Sequence, residues 1–364
     1  MEKEMVKKRS SNFELLRIVL MFMIVCLHYN GKGLDFSNIK FMSSKYIFSN
    51  IVEAFSIVAV NCFVLISGYF LSNSRKIKIK KITHFWITVE IYSFGIFLAM
   101  ILNNILQPKS VDIIKAIFPI TNNMYWFATA YFGLYLIYPF LNILISNLSK
   151  KKYIYMLAIL TFLQVIVTTL SPFKNGVFDS STGYSLIWFI YLYFIGAYIR
   201  IYYVDNIKRR KYYFIGYILS SISIFLLNIL NIYLSKKFNL FKNYIGDSYS
   251  YDHILAVIAS VMLFLFFKNI NIKQNAIGNV INKISPAMFG VYLIHENYFI
   301  IPTFWKDIIV INKSLTFKPF LKCYILNTLE IFIACAIISY CVNLIINFCG
   351  KILNKYIKLD EIKL

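Results

Sequence analysis

The sequence predicts an all-α, polytopic membrane protein of about ten transmembrane helices with both termini in the cytoplasm. Composition is the first observation behind this. Hydrophobic residues make up 59% of the 364 and charged residues 15%, with a mean hydropathy of +0.65. That leaves too little polar surface for a water-soluble globule of this size. The second observation is a series of about ten apolar runs, each long enough to cross about 30 Å of hydrocarbon. The third is that positive charge follows the connecting segments instead of gathering in a domain.

In chain order the runs lie at residues 13–30, 51–71, 83–105, 124–145, 153–170, 184–203, 212–233, 251–267, 285–302 and 321–348. The first follows a short polar, basic leader and continues without a small-residue cleavage site, so it is expected to stay as a span and not to be removed as a signal. The eighth is the weakest, because Asp252 and His253 stand at its start, and the last is long enough to tilt or to carry an amphipathic tail. With the N-terminus inside, roughly two thirds of the 38 lysines and arginines fall on the inner segments, as the positive-inside rule requires. The outer stretches 236–242 and 306–322 are themselves basic and weaken that asymmetry. No connection exceeds about 20 residues, so the chain reads as one membrane-embedded domain over 1–364, with cytoplasmic tails at 1–11 and 349–364.

The net charge of +22 does not indicate nucleic-acid binding, since the basic residues are interleaved with apolar runs and form no domain to hold a duplex. The six cysteines are scattered through or beside those runs without metal-ligand spacing and are assigned to packing.

Ionisable groups inside spans are costly and are therefore functional candidates. The first span carries Arg17 and His28, eleven positions apart. At about 100° per residue they return to within about 20° of one face, separated by about 16 Å along the axis. One face then holds a fixed cation suited to phosphate and, deeper, an imidazole able to move a proton near neutral pH. Arg17 is equally placed to snorkel to headgroups and pair with Glu14, and His28 to fill an interhelical hydrogen bond. Spacing alone leaves both readings open.

The stretch Arg75-Lys-Ile-Lys-Ile-Lys-Lys81, followed by His84, puts five cations in seven residues on the inner side. It is enough to hold the phosphates of a nucleotide, and it is also an ordinary topogenic signal. Glu90 lies about one and a half turns past His84 and is a candidate partner for this cluster or for Arg17. His295 and Glu296 fall midway through the ninth run. As helix neighbours they would point about 100° apart and would not act on one atom. Glu53 and Glu330, in other spans, are candidates to balance buried cations. Tyr125 and Trp126 fit an interfacial aromatic belt better than a sugar platform, although Trp126 remains a possible substrate contact.

Taken in order, these pieces resemble the acyltransferase-three family of membrane-bound O-acyltransferases. The matching residues are Arg17-x10-His28, Val60-Asn-Cys-Phe-Val-Leu-Ile-Ser67-Gly68-Tyr-Phe-Leu with the basic loop after it, Tyr125-Trp126-Phe, Tyr193-Phe-Ile-Gly-Ala-Tyr-Ile-Arg200, and Tyr292-Leu-Ile-His295-Glu296. They run from residue 12 to about residue 300. One departure concerns the inner loop, where the family often has Arg-x-x-Arg. Here Lys78-x-x-Lys81 is the nearest placement, and lysine keeps the charge but loses the bidentate fork.

The resemblance implies an O-acetyltransferase of the stand-alone type in the cell membrane of a bacterium, with acetyl-CoA as donor and no metal or prosthetic group. Arg17, Arg75, Lys78 and Lys81 would hold the donor's phosphates, and His28 would act as general base or carry the acyl group. The acceptor would be a hydroxyl of a surface polysaccharide or its lipid-linked precursor. Two readings from other classes remain: a carrier for a glycan, lipid or organic anion, and a scaffold in an envelope complex. Discontinuous helices would favour the carrier, and the sequence shows no sign of them. Acceptor identity and oligomeric state are not encoded legibly.

Overall fold

The computed structural model describes residues 10–74, 76–171, 180–204, 206–356 and 361–363. Arg75 lies outside the described residues, as does most of the N-terminal tail. The helices in chain order are α1 (Ser11–Gly33), α2 (Ser44–Ser56), α3 (Val58–Leu71), α4 (Ile79–Leu102), α5 (Ser110–Ile117), α6 (Trp126–Ser146), α7 (Lys150–Thr161), α8 (Val167–Leu170), α9 (Leu186–Tyr202), α10 (Arg210–Ser235), α11 (Ile254–Lys268), α12 (Ala276–Ile284), α13 (Met288–His295), α14 (Ile301–Ser314) and α15 (Phe317–Tyr356). Among the described residues eight helices are long and apolar enough to cross a membrane, and α9 is a shorter apolar helix. The protein is an all-α polytopic membrane protein.

The remaining expected span, 285–302, is not one helix. A 3-10 turn at Ser285–Ala287, with Pro286 supplying no N–H, joins α12 to α13. The chain then leaves the helix after His295, and an Asn297 side chain accepting from the Phe299 N–H at 2.9 Å turns it into α14. The discontinuity that the sequence concealed is therefore present. The segment expected as a C-terminal tail at 349–364 begins as a continuation of the last helix. α15 runs on to Tyr356, and strand β2 (Glu361–Lys363) pairs antiparallel with strand β1 (Lys76–Lys78) in the basic loop.

α1 is the central element, touching α2, α3, α11, α12, α13, α14 and α15. Leu16, Leu20, Val25 and Tyr29 on it are fully enclosed. With lipid as solvent there is no hydrophobic drive between helices, so close backbone approach and internal hydrogen bonds must hold the bundle. The α3–α9 crossing shows both. A Cβ on Gly68 would overlap the Tyr193 carbonyl oxygen, and one on Gly196 would overlap that of Leu65. Asn61 on α3, fully buried, accepts from Trp188 Nε1 at 3.0 Å and donates to the Tyr251 carbonyl at 2.8 Å. The Ser67-Gly68 and Ile-Gly-Ala motifs thus have a packing reason independent of chemistry.

Replacing Gly196 by valine is expected to destabilise the protein by about 1–3 kcal/mol or more, because a carbonyl cannot move aside as a side chain can. Gly95→Ala, where a Cβ would meet nothing within 4 Å, should be neutral or slightly stabilising. Thermal unfolding of the detergent-purified variants, followed by size-exclusion recovery, checks both.

Candidate active site

Helical periodicity placed Arg17 and His28 on one face of α1, and the structure gives that face a cavity of about 480 Å³ whose wall includes both. Arg17 donates to Glu14 Oε1 at 2.6 Å, and the other carboxylate oxygen accepts from Ser285 Oγ at 2.5 Å. Glu14 therefore ties the guanidinium to the turn between α12 and α13. The pairing expected at three-residue spacing is present. It does not withdraw Arg17 from the cavity, because one carboxylate oxygen engages one of five N–H donors.

At the other end, His28 Nδ1 lies 2.8 Å from His295 Nε2 and 3.2 Å from Glu296 Oε1. The expectation that His295 and Glu296 could not act together is overturned. Glu296 caps α13 with its N–H still bonded to the Tyr292 carbonyl, so the 100° offset remains, but the two side chains are long enough to converge on the same imidazole nitrogen. Tyr125 holds this turn in place. Its hydroxyl donates to the Leu293 carbonyl at 3.0 Å and accepts from Asn297 Nδ2 at 2.7 Å. Lys32, four residues after His28, places its ammonium on Glu296.

The hydrogen bonds fix the tautomers. His295 Nδ1 sits 2.6 Å from the Val291 carbonyl, which can only accept, so His295 carries its proton on Nδ1. Its Nε2 is then the acceptor, and the short contact requires His28 to donate from Nδ1. A neutral His28 is left with its lone pair on Nε2. The result is an oriented base whose conjugate acid would be stabilised by an acceptor nitrogen and a carboxylate. His28, His295 and Glu296 also offer ligand atoms within 4.8 Å of one another, a set of the size that binds a transition metal. The Lys32 ammonium on Glu296 gives this cluster a cation of its own.

Trp126 is removed from the lipid belt assigned to it. The segments carrying Tyr184 and Tyr251 fold over the start of α6, with ring centroids 4.3 and 5.9 Å from the indole, and Trp126 lines the cavity alongside Tyr251 and Tyr292. Tyr125 is likewise buried. The basic loop divides. Lys80, Lys81 and His84 line a second cavity of about 480 Å³ that shares Phe85, Tyr131, Pro286 and Phe289 with the first, forming a basic approach to it. Lys78 ends strand β1 and lines neither, so Lys80 and not Lys78 accompanies Lys81.

Glu90 does not belong to the site. It shares the side of α4 with the exposed Trp86 and Phe94, and Arg17 is paired with Glu14 instead. Glu53 accepts from Asn30 Nδ2 at 2.9 Å rather than from a cation, and Glu330 is exposed on α15. Lys32 was missed, although its four-residue spacing from His28 carried the signal.

The model of a family described as an acyltransferase domain, acyltransferase 3, matches residues 10–348. The chain belongs to that family. The protein is an acyltransferase, and membership implies acyl transfer to carbohydrate hydroxyls. No curated protein and no solved structure matches it. In this acyltransferase the first cavity brings together a cation at Arg17, an imidazole at His28 and an aromatic wall.

His295→Phe removes the acceptor that fixes the His28 tautomer while keeping a ring of similar size in its buried place. It is expected to lower kcat by about 10²-fold or more, within the range ascribed to general-base catalysis, with little change in the donor KM. A steady-state acyl-transfer assay on purified variants separates the two constants. A rise in KM at unchanged kcat would assign His295 to binding instead.

Proposed function

We propose that this acyltransferase moves an acetyl group from acetyl-CoA to a hydroxyl of a bacterial surface polysaccharide or its lipid-linked precursor, at the cell membrane. The observation that carries the reading is the oriented His28, whose Nε2 bears the lone pair at one end of a cavity that holds Arg17 at the other. The face bearing Ser11 and the Lys76–Lys81 stretch is assigned to the cytoplasm, in keeping with its excess of positive charge. The donor's phosphates would meet Lys80, Lys81 and Arg17, and the pantetheine arm would span the separation of about 16 Å between Arg17 and His28.

His28 Nε2 then takes the proton of the acceptor hydroxyl as its oxygen attacks the thioester carbonyl carbon. The C–S bond breaks, and the imidazolium returns the proton to the departing thiolate. While charged, the ring donates from Nδ1 to His295 Nε2 with Glu296 alongside, and Lys32 balances that carboxylate. The carrier reading draws on the broken segment after His295, since interrupted helices are common at transport sites. Here two proton-handling groups converge on a third at the end of α13, which binding alone does not require.

The test is proton NMR of surface-glycan O-acetyl groups in a deletion strain complemented with wild type, His28→Ala or Arg17→Ala at matched membrane expression. Acetyl signals should vanish in the deletion, return with wild type and stay absent with His28→Ala, at unchanged total glycan. Unchanged acetylation with reduced glycan export would replace the enzyme by the carrier.

A further inference from the structure

The basic outer stretches that run against the positive-inside rule need a reason, and the structure supplies a place for them. On the face opposite Ser11, where α1 ends, a separate cavity of about 540 Å³ is lined by Lys40 and Lys45 from the segment before and at the start of α2, and by Lys313 at the end of α14. Asp35 pairs with Lys313 at 2.7 Å, so three lysines face one carboxylate and the lining carries a net positive charge. Lys45 is held in place, donating to the Asn312 carbonyl at 3.1 Å with its ammonium 5.3 Å from the Phe320 ring centre. Two of its three N–H donors remain for a ligand. Lys236, from another outer stretch, lies over Phe41, the neighbour of Lys40, and adds positive charge on the same side.

The cavity is not merely electrostatic. Asn38 and Ser44 place an amide and a hydroxyl in its wall, as sugar hydroxyls would require and a bare headgroup would not. Asn312 also joins it to the reaction centre, donating to the Gly33 carbonyl and the Tyr29 hydroxyl, both at 2.9 Å. Tyr29 follows His28 in the chain. Six residues of rise separate His28 from Leu34 at the cavity edge, about 9 Å along the axis, which is within the reach of a short run of sugars.

We infer that this cavity is a subsite for an anionic residue of the acceptor, so that the glycan is a polyanion bearing phosphate or carboxylate groups. The inference rests on the acetyl-transfer reading for its meaning, but binding can be measured without turnover. The full chain in phosphatidylcholine nanodiscs would be titrated with labelled oligogalacturonate, with a glycerol-phosphate oligomer, and with an uncharged malto-oligosaccharide of equal length. At least one acidic oligomer should bind about tenfold more tightly than the neutral one and weaken as salt is raised. Lys40→Gln and Lys45→Gln should each weaken it about tenfold, the effect of losing one charged hydrogen bond, at unchanged melting temperature.

His28→Ala should keep this binding while losing acetyl transfer. Lysine-dependent binding by a wild type that never acetylates would therefore overturn the reaction and not the site. Equal affinity for acidic and neutral oligomers, or affinity indifferent to both lysines, would overturn the site. So would lysine-dependent retention of phosphatidylglycerol with no binding of either acidic oligomer, which would make a lipid headgroup the occupant.

Discussion

Because the Val291 carbonyl can only accept a hydrogen bond, its contact with His295 Nδ1 decides where the protons of the whole cluster lie. One backbone acceptor in α13 sets the tautomer of His295. His295 sets that of His28, and His28 is left presenting a lone pair from Nε2. No loop or bound group is needed for this order, only that α13 keep its register against α1. That register is held from several sides. Glu14 bridges to Ser285, the Tyr125 hydroxyl joins Leu293 to Asn297, and Tyr92 donates to Ser339, which in turn donates to the Ala287 carbonyl.

Such bonds matter more here than they would in a soluble protein. A polar group stranded in hydrocarbon finds no water, so buried asparagines and tyrosines must be matched within the bundle. Asn61 with Trp188 and Tyr251, and Asn142 with Tyr193, are matched in this way. They fix how α3, α6 and α9 meet, and with them the aromatic wall on which Trp126, Tyr251 and Tyr292 stand.

The cavity system is therefore polarised along α1. Lysines and His84 surround the approach, Arg17 with Glu14 stands in the wall of the first cavity, and His28 lines it farther along α1, with His295, Glu296 and Lys32 grouped at its Nδ1 side. The carboxylates do not cancel this field. Glu14 holds Arg17 in position and Glu296 holds Lys32, so each cation is pinned where it acts while the large positive excess of the chain persists.

The sequence by itself determined that the chain is a helical membrane protein, and it put Arg17, Glu14 and His28 together on α1. Length, hydropathy and the 3.6-residue repeat are local properties, and a helix interior preserves them. Only the tertiary structure decided what faces His28. His295 and Glu296 reach one nitrogen because the end of α13 packs against α1, and that end is tied through Leu293 and Asn297 to Tyr125, a residue some 170 positions away. Glu90 lies away from the cavity and Trp126 in its wall, contrary to the pairing and belt readings, for a related reason. In an apolar span lipid-facing and protein-facing sides have the same composition, so polarity cannot tell which side a residue occupies, and only the neighbours packed against it can.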